Sequence, residues 1–288
     1  MQTTVKAYAK INWALDILSR REDGYHRMDM LMQNIDLCDE ISFSPARFVT
    51  LEMNGRLVTG GSKNLIVRAA TALNEYMGET RGVKVQLKKR IPVRAGLGGG
   101  SADCAATLLA LNEIWRLRLP FKTLLTIGES LGADVPYCLM GGLCRVSGIG
   151  EVLTPMDGAK EYPMLLTLVG EGLSTQAVFA EFDEHVAVPE QVDLTKLHEL
   201  LSEGKLEEAC AVSGNALEKA ALRLMPEIAG TMQKMRDLGA KYVRMSGSGS
   251  AVYGVFDSEE AAKNARERFP EALLTHTLVT RGNCDMDM

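Results

Sequence analysis

The sequence predicts an α+β protein built as two domains. Three observations carry that expectation. The 288 residues, at roughly 150 per domain, leave room for two cores. The first sixty residues read as short alternating or apolar runs, whereas helical runs dominate later. A polar junction with two prolines, Thr-Pro-Met-Asp-Gly-Ala-Lys-Glu-Tyr-Pro near 154–163, separates two α+β halves.

In order, Val5–Ile11, Ala14–Leu18, Met30–Ile35, Glu40–Phe43 and Val49–Met53 read as strands, and Asn54-Gly55 is a hairpin signal before Arg56–Val58. A helix follows, capped by Ser62, with Leu65, Ala69, Leu73 and Tyr76 at helical spacing and Gly78 ending it. Val83–Leu87 is a strand leading into a glycine-rich segment and the Ala- and Leu-rich helix Ala102–Trp115. The helix Phe121–Leu131 and strands Leu143–Ile149 and Val152–Leu153 complete the first half. The second half begins with strand Met164–Val169 and continues with helices Thr175–Phe182, Leu194–Glu203, Leu206–Leu224 and Glu227–Leu238. It closes in a βαβ-like manner: strands Tyr242–Met245 and Ala251–Phe256, helix Ser258–Arg268 and strand Leu273–Val279. The expected domains are 1–157, carrying the glycine loop, and 158–281, followed by a flexible tail at 282–288.

With 46% hydrophobic and 24% charged residues, a disordered, collagen-like or coiled-coil chain is excluded. The net charge of −5 argues against a general nucleic-acid or anionic-membrane binder, so any anion site is local. No apolar run spans a membrane, and charged Lys6, Lys10 and Asp16 interrupt the place of a signal peptide, so a cytoplasmic protein is expected. The six cysteines (Cys38, Cys104, Cys138, Cys144, Cys210, Cys284) lack metal-binding spacing and read as reduced thiols.

The most informative segment is Pro92-Val93-Arg94-Ala95-Gly96-Leu97-Gly98-Gly99-Gly100-Ser101-Ala102. Its glycines permit positive φ and free backbone N–H groups, and the helix opening near Ser101 adds a positive dipole end, a combination suited to phosphate. It is neither a Walker A loop nor a dinucleotide fingerprint. A tight turn that serves only helix–strand packing is the other reading. A second segment, Met245-Ser-Gly-Ser-Gly-Ser250, is either a turn or a cover over the same phosphates. Lys10 and Asn12, two apart on a strand, share a face that is either solvated or functional. Asp134, between a helix end and a proline turn, is either a cap, which spacing alone favours, or a general base.

Taken in chain order, Lys6-Ala-Tyr-Ala-Lys-Ile-Asn12, Arg21-Glu-Asp-Gly-Tyr-His26, Ala95-Gly-Leu-Gly-Gly-Gly-Ser101, Leu131-Gly-Ala-Asp-Val-Pro136 and Met245-Ser-Gly-Ser-Gly249 resemble the kinase superfamily named for galactose, homoserine, mevalonate and phosphomevalonate, the GHMP kinases. The resemblance implies a two-domain fold, with an N-terminal domain like one found in ribosomal proteins and a ferredoxin-like C-terminal domain. It implies ATP and Mg2+ as cofactors, and it implies phosphorylation of CDP-methylerythritol, a small-molecule substrate of the non-mevalonate isoprenoid route. By the same resemblance Asp134 is the base and Lys10 its neighbour, while Asn12 orients the hydroxyl. Pro92–Ala102 then holds ATP phosphates, and Asn64 and Leu65 lie near its base. Tyr25 and Phe179 stack on the two sides of cytosine, and His26 bonds its edge. No protein ligand for the metal, no nucleic-acid or membrane partner, and a monomer or homodimer are expected. Arg94, Ala102 and Ser250 depart from the family pattern, which has a small residue, a second serine and a proline there; Ala102 removes a hydroxyl. The rivals are another acceptor of the same superfamily, such as homoserine or mevalonate, and a non-catalytic nucleotide- or RNA-binding relative. Lys10 with Asp134 and the net charge of −5 count against the latter.

Overall fold

The computed structural model describes residues 2–58, 63–187, 191–279 and 286–287. Ser62 and Cys284 therefore lie outside the described residues. Where four short strands were expected before Val49–Met53, two long ones form, β1 (Thr3–Arg20) and β2 (His26–Ala46), paired antiparallel from Thr3↔Phe43 to Arg20↔His26. Register shifts between Tyr8 and Lys10, Asn12 and Ala14, and Ile17 and Ser19 break the alternation inside β1, which is why the sequence pattern reads as separate pieces.

β3 (Thr50–Met53), β4 (Arg56–Leu57) and β5 (Gly82–Lys88) extend this sheet, with β3 parallel to β5; β6 (Cys144–Gly148) pairs with β2, and β7 (Val152–Pro155) with β6. Within the expected tail, Met286–Asp287 form β12 and pair antiparallel with Thr4 and Val5 of β1; the rest of 280–288 lies outside the described residues. The helices of this half are α1 (Leu65–Met77), α2 (Gly99–Ile114), α3 (Phe121–Leu131) and α4 (Val135–Met140). Asn64 caps α1 by accepting the Ile66 N–H at 2.9 Å, and Gly78 at φ 64° ends it. α2 is apolar nearly all round, so it is buried between its neighbours rather than laid on a surface. α4 was expected only as a proline turn; six residues are too few to show a period.

The second sheet has the order β11-β8-β10-β9, from β8 (Pro163–Leu168), β9 (Tyr242–Met245), β10 (Ala251–Val255) and β11 (Leu273–His276), all adjacent pairs antiparallel. Its helices are α5 (Thr175–His185), α6 (Leu194–Glu203), α7 (Leu206–Val212), α8 (Glu218–Leu224), α9 (Glu227–Asp237) and α10 (Glu259–Arg268). This is the ferredoxin-like arrangement. The single helix expected over Leu206–Leu224 is broken at Ser213–Leu217. Gly214 O there accepts from Leu15 N and Ala216 N donates to Leu15 O, so pairing with β1 replaces helical hydrogen bonds. The Arg244 guanidinium takes up the freed carbonyls of Cys210 and Ser213 at 2.6 and 2.9 Å.

The two sheets meet on β1. Trp13 is fully buried edge-on against Tyr242, Tyr162 and Tyr253, with ring centroids 5.0, 6.0 and 6.2 Å apart, and Ala9 and Ile11 join the same core. Two second-sheet phenols donate to β1 carbonyls, Tyr253 to Asn12 and Tyr242 to Trp13. With one face of β1 covered by the second sheet, Lys10 and Asn12 on the other face are nearly buried, Lys10 lying against Gly98 and Gly247 of the two glycine turns. Among the described residues no helix is long and apolar enough to cross a membrane.

Candidate active site

Lys10 and Asn12 are 4% and 2% exposed, which removes the reading of a solvated strand face. A buried ammonium is costly unless it is paired. Lys10 Nζ donates to Asn12 Oδ1 at 2.7 Å and lies 3.8 Å from Asp134 Oδ2. Register shifts flank Lys10–Asn12 in β1. Asp134 stands at the N-cap position of α4 yet makes no side-chain capping bond, so its carboxylate is free for the ammonium. Asn34 braces α4 from β2: its Oδ1 accepts from Gly142 N at 2.8 Å, and its Nδ2 donates to Ala9 O at 3.2 Å.

The glycine loop wraps this pair. Ala95 and Leu97 are buried pegs whose carbonyls accept from Ala251 N at 3.1 Å and Lys10 N at 3.0 Å, which ties the loop to both sheets. Gly96 between them and Gly98 just after Leu97 take φ of 75° and 68°. A Cβ on Gly98 would come within 3.0 Å of Lys10 Cγ, and one on Gly96 within 2.0 Å of Ser246 O. The helix opens two residues before the expected Ser101, with Gly98 as N-cap, Gly99 and Gly100 in its first turn and Ala102 N bonded to Gly98 O. Leu65 Cδ1 lies 3.7 Å from the Cβ position of Gly100, and Ser101 Oγ lies 4.0 Å from that of Gly132, two residues before Asp134. Half-buried Pro92 and exposed Val93 form the entry to the loop, and Arg94 takes φ 56° while its carbonyl accepts Leu173 N at 3.1 Å.

The second glycine turn covers the first. Ser246 Oγ donates to Gly96 O at 3.0 Å, and the Cβ position of Gly247 is 3.4 Å from Lys10 Nζ. Sequence reasoning missed what holds that turn in place: Asn215 Nδ2 donates to Met245 O and Gly247 O at 3.0 and 2.8 Å. No local signal marks Asn215, because its partners are thirty residues away. Ser250, where the resemblance expected proline, is fully buried and donates to Val169 O at 2.5 Å.

At the other end of the site His26 is buried against α5. Its ring stacks on Phe179, with centroids 4.8 Å apart and 25° between planes, and Nε2 lies 2.7 Å from Asp183 Oδ1. Phe179 thus packs one face on His26 rather than standing free, while Tyr25 is 60% exposed beside it. Asp183 was also missed. Its signal is the helical spacing Phe179-x-x-x-Asp183, which puts both side chains on the α5 face that meets His26.

A cradle of glycine backbone at a helix start, a buried ammonium and a carboxylate can bind polyphosphate and accept a hydroxyl proton. Among the described residues no group of three or more His, Cys, Asp or Glu is placed to hold a metal ion.

Known proteins agree with this arrangement. The family model for the GHMP kinase N-terminal domain matches residues 64–142, and that for the GHMP kinase C-terminal domain matches 194–274. A 4-diphosphocytidyl-2-C-methyl-D-erythritol kinase of Thermodesulfovibrio yellowstonii is 39% identical over 92% of this chain and 94% of its own length. The enzyme of the same name from Pelotomaculum thermopropionicum is 37% identical over 98% and 100%. A crystal structure of 4-(cytidine 5'-diphospho)-2C-methyl-D-erythritol kinase superposes with a TM-score of 0.82 at 33% identity, covering 96% of this chain and 99% of its own. A homoserine kinase from Cytophaga hutchinsonii, at 20% identity and TM-score 0.72 over 99% and 97% of the two chains, shares the fold. The chain belongs to the GHMP kinase superfamily and, within it, to the 4-diphosphocytidyl-2-C-methyl-D-erythritol kinases, a family of small-molecule kinases.

Proposed function

We propose that the chain transfers the γ-phosphoryl group of ATP to the 2-hydroxyl of 4-diphosphocytidyl-2-C-methyl-D-erythritol, giving ADP and the 2-phosphate, in the non-mevalonate isoprenoid route. The observation that carries this reading is the Lys10–Asp134 pair beneath two interlocked glycine turns. Asp134 takes the acceptor hydroxyl proton as the new oxygen–phosphorus bond forms and the bond to the ADP oxygen breaks. Lys10 offsets charge gathering on the transferred group; because the ammonium is already fixed by Asn12, little reorganisation is needed. Asn12 orients the hydroxyl. The amides of Gly96 to Gly100 and the start of α2 hold the phosphates, with Asn64 and Leu65 toward the base.

At the far end Tyr25 and Phe179 grip the cytosine and His26 reads its edge, so that remote binding energy positions the reacting hydroxyl. The stack of Phe179 on His26 supports this by joining the reading residue to one wall of the clamp. The experiment is ADP release measured across CDP-methylerythritol, its uridine analogue, mevalonate and homoserine. Turnover confined to the cytidine compound is expected, and efficient turnover of mevalonate or homoserine would overturn the acceptor assignment.

A further inference from the structure

Behind the glycine loop, apart from the Lys10–Asp134 pair, lies a second ionic cluster. Lys89, just past the end of β5, places Nζ 2.5 Å from Asp39 Oδ2 on β2 and 2.6 Å from Asp103 Oδ2 on α2. A Cβ on Gly99 would come within 3.0 Å of this ammonium, so the charge sits against the first residue of α2. The two carboxyl groups are not equivalent. Asp39 also accepts Arg90 N at 2.5 Å and Ile91 N at 2.9 Å, whereas Asp103 Oδ1 is buried with no hydrogen-bond partner. Two buried carboxylates against one ammonium would leave a net negative charge in low dielectric, and the one with fewer hydrogen bonds, Asp103, is the one that holds a proton. Burial pushes the Asp103 carboxyl up to about 8; the Lys89 ammonium opposes that shift and the Asp39 charge adds to it. Other titratable or charged groups nearby are the thiols of Cys38 on β2, Cys104 on α2 and Cys138 on α4, all raised by burial, with Lys6, Arg90, Glu40 and Asp39 acting on Cys38, Arg68 of α1 on Cys104, and Lys10 of β1 and Asp134 on Cys138.

We propose that Asp39, Lys89 and Asp103 form a positioning cluster that fixes the first turn of α2 behind the glycine loop and sets the charge facing the bound phosphates, so that nucleotide binding and protonation of the cluster are linked. The proposal rests on the reading of the glycine loop as the ATP site. With Asp103 protonated the cluster is neutral, and with Asp103 ionised it is anionic and repels phosphate. ATP binding therefore favours the protonated form and draws in protons, because linkage is reciprocal.

The test is calorimetric titration of the wild-type protein with ATP near pH 8, in two buffers of different ionisation enthalpy. Uptake of a fraction of a proton per ATP is expected, with ATP affinity falling a few-fold from pH 7 to pH 9.5. Asp103→Asn, which keeps the shape and cannot ionise, is expected to bind ATP with no proton uptake and a flat pH profile. ATP binding to the wild type without proton uptake, or uptake that persists in Asp103→Asn, overturns the proposal while leaving the ATP site standing. Absence of ATP binding to the wild type overturns the site reading and the proposal with it. A purely packing role for the cluster would change the melting temperature of the variant and leave the wild-type proton count at zero.

Discussion

The ammonium of Lys10 stands 3.8 Å from the carboxylate of Asp134, the first nearly sealed from solvent at 5% exposure and the second open at 37%. The asymmetry suits the roles proposed. A buried cation keeps its field undiluted by water, while an open carboxylate is reachable by an acceptor hydroxyl. Pro136, the second residue of α4, leaves one N–H fewer to be capped there, which suits an Asp134 side chain that makes no capping bond.

Gly98→Val is expected to weaken ATP binding sharply. A β-branched residue at φ 68° is strained by about 1–2 kcal/mol, and its Cβ would press on the Lys10 stem. Calorimetry with ATP, alongside a melting curve to show that the fold survives, checks this; unchanged affinity would place the phosphates elsewhere.

Tyr25→Ala and Phe179→Ala are expected to raise KM for the cytidine acceptor by about 1 kcal/mol each, and to leave ATP affinity unchanged. Because Phe179 also stacks on His26, its loss should relax selection of cytosine over uracil more than the loss of Tyr25 does. His26→Ala should relax it as well. The ratio of kcat/KM for the cytidine and uridine compounds is the readout, and wild-type selectivity in all three variants would reject the clamp.

Asn215→Ala removes two hydrogen bonds to the carbonyls of Met245 and Gly247, and is expected to cost about 1–3 kcal/mol in urea unfolding. Since that turn lies over Lys10 and Gly96, turnover should fall as well. A variant as stable and as active as the parent would show that the turn holds itself.

His276 joins β11 to β2 and α10, facing Asp36 and Glu259. Burial alone would lower its pKa, but the hydrogen bonds and charges of Glu259 and Asp36 together raise it above the ordinary histidine value. A raised folded-state value gives stability that is complete below the unfolded pKa of about 6.5 and is lost as pH climbs through the folded value. His276→Gln should therefore melt below the wild type at pH 6, with the gap narrowing by pH 9. A gap independent of pH would contradict the charged latch.

Much of this arrangement was legible in the residues. Gly78 ends α1 and Phe121–Leu131 ends at Gly132 as expected, because caps and periodicity are local, although α1 is capped by Asn64 and not by the expected Ser62. The chemistry at Lys10 was not legible from alternation: a strand shows that Lys10 and Asn12 share a face, and only the two glycine turns packed on Lys10 at Gly98 and Gly247 decide that this face is closed to solvent. Asp134 read as a cap because position favours that, and the missing capping bond is visible only in three dimensions. Asn215, Asp183 and the Asp39–Lys89–Asp103 cluster depend on partners far along the chain, which no window of sequence contains.

The reading of Asp134 as the base is tested most directly by single-turnover phosphoryl transfer in Asp134→Asn, with ATP and acceptor both saturating. The amide preserves the shape and the approach to Lys10 but cannot take the proton. A fall of at least about 10²-fold in the chemical step, with ATP affinity retained, is the predicted result. A chemical step at the parental rate would contradict it and return Asp134 to the role of a helix-start residue.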